Sequence, residues 1–382
     1  MPVYITIVTL LSLFYFYMMN RYRRAWQFLP VWEIPASFRA NTFVSVLVPA
    51  RNESENILAC IQSILHQSYP QSLFEIIVID DHSTDDTAAL VEQLNHPQIK
   101  LLKLAELIQD NEATQSFKKK AIEIAIAHAV GELIVTTDAD CIVPKDWLAF
   151  FVAYYQKHGA KFIAAPVNFY REKSLIERFQ SLDFVGMMGI TGAGIDQQLM
   201  NMCNGANLAY EKKVFYEVNG FEGIDQVASG DDMLLMQKVA QKYPHKIGFI
   251  KNKKATVFTL AKSSWTAFLN QRIRWASKST SYKEWKVTFI LAMVFFFCVS
   301  IVANLLLIPF FGNVLLIVFV IQLLIKALAD YLLLKPMSDF FDRKDLMKSF
   351  WPALFLHLAY IVVVGFLGNV KKNYEWKGRK AQ

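Results

Sequence analysis

Residues 74–87, FEIIVIDDHSTDDT, decide the fold of this chain. The stretch opens with an apolar, β-branched run, which predicts a buried strand that ends at Asp80 and Asp81. Thr84 can cap the helix after this turn, and two further aspartates fall in its first turn, where the helix dipole favours negative charge. A strand, a turn rich in carboxylates and a helix are therefore predicted in direct succession.

The same alternation of strand and helix occurs on both sides of this stretch. The further strand-like runs cover residues 43–48, 99–102 and 133–137, and amphipathic helical stripes cover residues 57–65 and 119–130. Strands that alternate with helices argue for a parallel, doubly wound sheet, in which ligands sit beyond the carboxyl ends of the strands. The predicted fold class is therefore α/β.

Two pairs of aspartates fall at such strand ends. Asp80 and Asp81 repel each other, and a cation or a hydrogen-bond donor such as a nucleobase would relieve the repulsion. Asp138 and Asp140 come after the run 133–137, and an Asp-x-Asp there supplies hard oxygen ligands to a divalent cation that bridges a diphosphate. Helix caps and solvated turns are the alternatives. The position of both pairs at strand ends favours a ligand site.

Asp231 and Asp232 precede a helix-like run, so a helix cap is again one interpretation. A carboxylate at this point could also take a proton from an incoming hydroxyl as a general base. The sequence analysis assigns this base to Asp232 and leaves capping or orientation to Asp231.

Basic residues provide two further candidate motifs. The segment 271–275, QRIRW, combines arginines that bind phosphate oxygens with a flat tryptophan face, although an interfacial belt near a bilayer has the same composition. Within the lysine run 118–120, Lys120 at a helix start could meet a diphosphate, and a solvated charge run is the alternative.

Apolar runs of spanning length occur at both ends of the chain. The run 3–19 carries no charge and is succeeded by Arg21, Arg23 and Arg24, which favours a retained signal anchor over a cleaved signal peptide and a cytoplasmic position for the residues after Arg24. The other runs cover residues 287–311, 314–334 and 350–370. With four crossings the basic tail would lie outside, so either one run does not cross or the charge rule fails here.

The composition limits the remaining classes of function. The net charge of +7 resides largely beside apolar segments, which fits lipid headgroups, and no recognition pattern for nucleic acid accompanies it. The four cysteines form no CxxC pair, so we expect free thiols and no structural zinc.

Three domains are expected along the chain. An anchor helix at 1–24 precedes a cytoplasmic catalytic domain at 41–285 and a membrane domain with a basic tail at 286–382. Within the catalytic domain, residues 174–188 predict a helix with a capping box, and the glycine-bearing segment 189–194 predicts a flexible loop.

Taken together, these motifs resemble the family 2 inverting glycosyltransferases of the GT-A fold. The matching motifs are VLVPARNE at 46–53, VIDDHSTDDT at 78–87, DAD at 138–140, NGANLAY at 204–210, DD at 231–232 and QRIRW at 271–275. The last of these matches the QxxRW box of membrane-bound members, such as ceramide-type glucosyltransferases and relatives of the cellulose and hyaluronan synthases.

The resemblance implies a role for each matching residue. It implies that a nucleotide, with uridine as the expected base, is bordered by Pro49, Ala50, Asn52, Glu53, Asp80 and Asp81. Lys120 and Asp138 would then contact the donor, and Asp138 and Asp140 would hold Mg2+ or Mn2+. Base catalysis would fall to Asp232, and the diphosphate and acceptor mouth to Gln271, Arg274 and Trp275.

The acceptor stays open at this point. Few membrane crossings and the absence of a gating segment after Trp275 favour transfer of one sugar to a membrane lipid, with an inverted, β-linked product. Processive polysaccharide synthesis is the alternative, and a non-catalytic nucleotide-sugar-binding subunit is the second alternative. The resemblance also implies an integral protein of a bacterial inner membrane, and it leaves the oligomeric state unpredicted.

Overall fold

The computed structural model describes residues 1–108, 116–227, 229–277, 284–370, 374–376 and 379–381. Most of the basic tail lies outside the described residues. The chain forms two compact units. The helical unit comprises Met1–Leu29, Glu172–Met200 and Ala261–Lys372, and the sheet unit comprises Pro30–Arg171, Asn201–Leu260 and Asn373–Gln382.

The described strands are numbered along the chain. They are β1 Val44–Ala50, β2 Phe74–Asp80, β3 Ile99–Lys103, β4 Leu133–Thr136, β5 Phe162–Ala164, β6 Val167–Phe169, β7 Leu208–Glu211, β8 Ile247–Phe249, β9 Val257–Thr259, β10 Tyr374–Trp376 and β11 Arg379–Ala381. Seven of them form one sheet in the order β3-β2-β1-β4-β7-β5-β8, while β6 pairs with β9 and β10 with β11.

The described α-helices are numbered in the same way. They are α1 Pro2–Phe28, α2 Ile57–Leu65, α3 Thr87–Gln93, α4 Leu104–Leu107, α5 Phe117–His128, α6 Trp147–His158, α7 Leu175–Asp196, α8 Lys212–Glu217, α9 Met233–Lys242, α10 Trp265–Ala276, α11 Trp285–Phe311, α12 Asn313–Phe340 and α13 Phe350–Val370.

The sheet confirms the predicted α/β class. Strands β1 to β4 are parallel, and the register aligns Ala50 with Asp80 at the carboxyl ends of β1 and β2. Strands β1, β2 and β4 are buried along most of their length, which explains their near-continuous apolar sequence. Strand β7 runs antiparallel to β4, so the sheet is mixed beyond its parallel half.

One local prediction in the helical unit is wrong. The predicted helix with its capping box at Ser174 and Glu177 is present, but it continues to Asp196 through the segment predicted as a flexible loop. A side-chain carbon built at Gly186 or Gly189 would collide with Leu334 or Met337 of α12. These glycines therefore permit close helix packing, and packing overrides their low helix propensity.

The predicted apolar runs are all helical. Among the described residues, four helices are long and apolar enough to cross a membrane: Pro2–Phe28, Trp285–Phe311, Asn313–Phe340 and Lys344–Gly368. The division into compact units groups α7 and α10 with these helices, although the sequence-based boundary assigned residues up to 285 to one catalytic domain. The functional boundaries and the side of the membrane stay predictions.

Candidate active site at the carboxyl ends of the strands

The turns after β1 and β2 are held together by hydrogen bonds. The backbone N–H of Asp81 donates to the carbonyl oxygen of Ala50 at 2.8 Å. Nη1 of the buried Arg51 donates to the carbonyl oxygens of Asp81 and His82 at 2.6 and 2.9 Å. Since Pro49 and Ala50 lie at the end of β1, these hydrogen bonds connect this part of the predicted nucleotide border to the turn after β2.

Asn52 and Glu53 extend the same connection. Asn52 adopts a left-handed backbone with φ of 50°, which an asparagine tolerates better than most residues. Its Oδ1 accepts from the N–H of Thr84 at 2.8 Å, and the N–H of Glu53 donates to Oγ1 of Thr87 at 2.8 Å. Polar groups of the turn after β1 are thus hydrogen-bonded to residues that follow β2.

Asp80 and Asp81 are both buried at this edge. Oδ2 of Asp80 accepts from the N–H of Ser83 at 3.2 Å, whereas its Oδ1 is buried with no hydrogen-bond partner in the described part of the chain. Oδ1 of Asp81 lies 3.0 Å from Nδ1 of His82. A buried acceptor without a partner is costly, so Asp80 is suited to accept from an N–H or O–H of a ligand.

The Asp138–Asp140 turn rests on two buried cysteines. The N–H of Cys141 donates to the carbonyl oxygen of Asp138 at 3.1 Å, and Sγ of Cys60 donates to the same oxygen at 3.6 Å. Burial, more than the neighbouring carboxylates, raises the pKa of both thiols, so they stay protonated and neutral. All four cysteines are free, as expected from the sequence.

Lys118 at the start of α5 connects two of the predicted acidic pairs. Its Nζ lies 3.0 Å from Oδ1 of Asp138 and 3.2 Å from Oδ2 of Asp231. Burial opposes the charge of this ammonium, but the two carboxylates outweigh burial and raise the pKa of Lys118. Carboxylates from two distant parts of the chain therefore converge on one cation.

Asp232 lies beside this ion cluster and caps α9. Its Oδ1 accepts from the N–H of Met233 at 2.7 Å, and its Oδ2 accepts from the N–H of Gly205 at 3.0 Å. A side-chain carbon at Gly205 would lie 3.6 Å from both Cβ of Asp232 and Nζ of Lys118. The capping expected of Asp231 is thus performed by Asp232. We call Asp138, Asp140, Asp231 and Asp232 the acidic rim.

The three consecutive lysines have different surroundings. Nζ of the buried Lys119 donates to the carbonyl oxygens of Ile224 at 2.6 Å and Ser229 at 3.0 Å, and also to that of Val227. Lys120 is more exposed, with Nζ 3.9 Å from Oε2 of Glu123. Sequence reasoning missed Lys118. Its four-residue spacing from Ile122 in the apolar stripe of α5 is matched by the three-residue spacing of Lys119, so the helical pattern does not single it out.

The acidic rim fits a divalent cation that shares its ligands with a substrate. Among the described residues, His, Cys, Asp and Glu side chains form no group of three or more that could hold a metal. Asp138 and Asp140 supply a carboxylate pair, and Mg2+ and similar ions are commonly bound by one or two carboxylates plus phosphate oxygens and water. The chemistry of the donor set therefore suits a metal bound together with a diphosphate.

The remaining predicted residues lie on α10 of the helical unit. Ser264 caps this helix through the N–H of Ala267 at 3.2 Å. Oε1 of Gln271 is buried without a hydrogen-bond partner in the described chain, and the Trp275 ring lies 6.2 Å from that of Phe184. The predicted roles of Gln271, Arg274 and Trp275 at a diphosphate stay predictions.

Comparisons with known proteins agree with these motifs. Residues 45–218 match the model of "Glycosyl transferase family 2", and residues 133–367 match that of "Glycosyl transferase family group 2". Glycosyltransferase AglE of Haloferax volcanii is 29% identical over 33% of this chain and 40% of its own length. A beta-monoglucosyldiacylglycerol synthase of Nostoc sp. is 29% identical over 43% of this chain and 38% of its own length. The chain spans less than half the length of these curated relatives.

A solved structure shares the fold over nearly the whole chain. It is the mannosyltransferase PcManGT from Pyrobaculum calidifontis, determined in complex with GDP-Man and Mn2+. The TM-score is 0.55 at 20% identity, and the match covers 96% of this chain and 97% of that protein. The likeness supports the α/β sheet with its associated helices.

Proposed function

Because the chain belongs to the family 2 glycosyltransferases, we propose that it is an inverting enzyme that moves one sugar from a nucleotide sugar to a membrane lipid. The observation that carries the proposal is the convergence of Asp138 and Asp231 on Lys118, with Asp232 beside them. Such a cluster combines a carboxylate for a metal, a cation for a diphosphate and a carboxylate for proton transfer.

The nucleotide would bind along the two joined turns after β1 and β2. Pro49, Ala50, Asn52 and Glu53 form one side of this site. Oδ1 of Asp80 is the buried acceptor that a base N–H or a ribose hydroxyl would satisfy. Asp81 lies directly beyond it, and uridine is the expected base.

The diphosphate would lie at the acidic rim. Asp138 and Asp140 would hold Mg2+ or Mn2+, which as a Lewis acid offsets the negative charge of a diphosphate leaving group. The relative PcManGT was solved with Mn2+ and GDP-Man, which supports a metal-dependent donor site. Lys118 would turn from the two carboxylates towards phosphate oxygens when the donor binds.

Asp232 would act as the general base. The acceptor hydroxyl oxygen attacks the anomeric carbon as the bond from that carbon to the diphosphate oxygen breaks, and the hydroxyl proton passes to the carboxylate. A single in-line displacement inverts the configuration, so an α-linked donor gives a β-linked product. The hydrogen bonds from Met233 and Gly205 orient the carboxylate for this role.

A membrane lipid is the proposed acceptor. The four helices of spanning length would hold the enzyme in the bilayer where lipid hydroxyls lie, with the catalytic side in the cytoplasm. The similarity to a beta-monoglucosyldiacylglycerol synthase supports this class of acceptor.

The test is a transfer assay on the purified full chain in mixed lipids. A panel of radiolabelled UDP and GDP sugars is supplied with Mn2+, and lipid-soluble product is separated from polymer. Label in a discrete glycolipid supports the proposal, and label only in long water-soluble chains would establish the polysaccharide alternative.

A non-catalytic binding subunit would give a different result. Wild-type protein would then bind the nucleotide sugar and transfer no label to any acceptor. Full cellular function of an Asp232→Asn variant would also support that alternative, since a binding protein does not need the base.

A further inference from the structure

The box 271–275 contains two arginines, and the one that lies outside the QxxRW pattern is buried. The side chain of Arg272 is 3% exposed. Its guanidinium carbon lies 4.6, 5.2 and 5.8 Å from the ring centres of Trp275, Phe268 and Tyr360. A cation within such a cage is attracted to all three aromatic faces, so Arg272 directly fixes Trp275 of the box.

Arg272 is paired with an acid on a different helix. Its Nη2 lies 2.9 Å from Oδ2 of Asp183 on α7, and the Asp183 side chain is 6% exposed. The neighbouring Phe184 packs on the ring of Trp275. Helix α7 therefore contacts the box through both a charge and a ring.

Polar contacts link Asp183 to ionisable residues of the candidate membrane helices. Nε2 of His357 on α13 lies 3.9 Å from Oδ1 of Asp183, and Nδ1 of the same ring lies 3.2 Å from Nζ of Lys326 on α12. Lys326 pairs with Asp330 at 2.6 Å, and the hydroxyl of Tyr15 on α1 donates to Asp330. We call these six residues the polar network: Arg272, Asp183, His357, Lys326, Asp330 and Tyr15.

Close packing holds the helices that carry the polar network. On α7, Gly186 and Gly189 lie against Leu334 and Met337 of α12. On α13, a side-chain carbon at Gly368 would lie 2.7 Å from Cβ of Ala276, the last residue of α10. A shift of one helix would therefore break both the packing and the charge pairs.

We propose that Asp183 and Arg272 are positioning residues that fix α10, and with it Gln271, Arg274 and Trp275, in the geometry used for sugar transfer. Apolar side chains would fill the same space at lower cost, because buried ion pairs lose solvation that their attraction barely repays. Lys326 and Asp330, to which the pair is linked through His357, lie in a candidate membrane helix, where ionisable residues are rare and are retained mainly for function. The pairs add directionality, since the opposite charges of Asp183 and Arg272 approach to 2.9 Å in this arrangement of the helices.

The inference rests on the proposed function for its effect on catalysis, but its structural part can be measured without activity. Hydrogen–deuterium exchange of the full chain in lipid nanodiscs reports opening of α10. We expect Asp183→Asn to speed exchange in residues 265–276 about tenfold, the order of a coupled buried pair. Exchange in α9 should not change.

Glu172→Gln is the matched control. The buried carboxylate of Glu172 also forms an ion pair, with Nη2 of the partly exposed Arg343 2.9 Å from its Oε1, near the start of α7 and away from the aromatic cage of Arg272. Equal exchange of 265–276 in both variants would overturn the inference. If Asp183→Asn does not fold, Arg272→Lys replaces it, because lysine keeps the charge and loses the planar fork. Unchanged exchange in that variant would also overturn the inference.

Kinetics separate positioning from general destabilisation. In a preparation active in glycolipid formation, Asp183→Asn should lower kcat about tenfold with the donor KM nearly unchanged, while Glu172→Gln stays within about twofold. The double variant with Arg272→Lys should be no slower than the slower single variant, because the two residues act as a unit. If the double variant lost kcat by the product of the two single-variant factors, the two residues would not act as a unit. Suppose that Asp183→Asn speeds exchange of α10 but that the wild-type protein transfers no sugar. The inference that Asp183 positions α10 would then hold, and the proposed function would be wrong.

Discussion

The acidic rim of the sheet unit, together with its neighbour Lys118, and the polar network of the helical unit both combine acids with bases, but their cations differ in exposure. At the rim, the side chains of Asp138 and Lys118 are 38% and 24% exposed. In the polar network, those of Arg272 and Lys326 are 3% and 0% exposed. The ammonium of Lys118 is open enough to exchange a carboxylate for a ligand, whereas the enclosed cations of Arg272 and Lys326 can only hold a geometry. The comparison therefore separates residues that bind and react from residues that position.

The largest expected effect comes from the rim. Asp232→Asn removes the proposed base while the amide oxygen can still accept a backbone hydrogen bond, and asparagine is an equally good helix cap. We expect kcat to fall about 10²–10⁴-fold, the usual contribution of general base catalysis. Single-turnover glycolipid formation measures it.

Asp231→Asn is the matched control for this prediction. It weakens the pair with Lys118 but leaves the proposed base, so a much smaller loss in kcat is expected. A greater loss in Asp231→Asn than in Asp232→Asn would transfer the role of base to Asp231.

Metal dependence sharpens the same comparison. Asp140→Ala should abolish the part of nucleotide affinity that Mn2+ adds and leave metal-free affinity unchanged, because a ligand of the cation is lost. Calorimetric titration of UDP with and without Mn2+ measures both. Asp183→Ala, which changes the buried network, should keep the full response to Mn2+, and an unchanged response in Asp140→Ala would contradict the metal assignment.

The strand-end carboxylates could be predicted because they depend on local sequence. The alternation of strands and helices fixes a parallel sheet, and residues at the ends of parallel strands must meet at one edge. Asp80 and Asp138 therefore needed no knowledge of tertiary contacts. Lys118 could not be distinguished within a run of three lysines, since charge alone does not state which side chain faces the sheet.

The polar network could not be predicted for a different reason. Its members come from five helices, and Tyr15 and Asp330 are separated by 315 residues. Single ionisable residues in apolar helices have no sequence-local partner, so their pairing is set by packing. The continuation of α7 through its glycines is a similar case, because the close approach of Leu334 and Met337 on α12 explains it.

Substitutions in the lysine run 118–120 test which of these adjacent side chains binds the donor. Lys118→Met should raise the donor KM by at least about tenfold, since a charge-assisted hydrogen bond of about 1.5–3 kcal/mol is lost. Lys120→Met is the control, since its Nζ lies 3.9 Å from Glu123. The sequence-based assignment to Lys120 would be restored if the two variants gave the reverse result in nucleotide titrations.

Lys119 should instead contribute to stability. Lys119→Met leaves the buried carbonyl oxygens of Ile224 and Ser229 without their donor, so we expect the free energy of unfolding to fall by about 2 kcal/mol. Thermal denaturation against Lys120→Met checks it. Equal midpoints would show that the loop before Asp231 is held by other contacts.

The smallest expected effect is at Asp85, in the turn that leads from β2 into α3. Burial raises its pKa, but hydrogen bonds from Thr87 and Ser54 together outweigh burial and lower the pKa of Asp85 to about 2. A depressed pKa adds stability above the unfolded value of about 3.9, and this is lost as pH falls towards 2. Asp85→Asn should therefore lower the denaturation midpoint slightly at about pH 6 and not at about pH 2. An equal decrease of the midpoint at both pH values would show that the charge of Asp85 is not the cause.

The most direct test of the account is a structure of the full chain with UDP and Mn2+. We predict Mn2+ bound by Asp138, Asp140 and the diphosphate, Lys118 turned from Asp231 towards phosphate, and the uridine beside Asp80. A nucleotide bound elsewhere, with Lys118 still between its two carboxylates, would contradict the proposal that the acidic rim is the donor site.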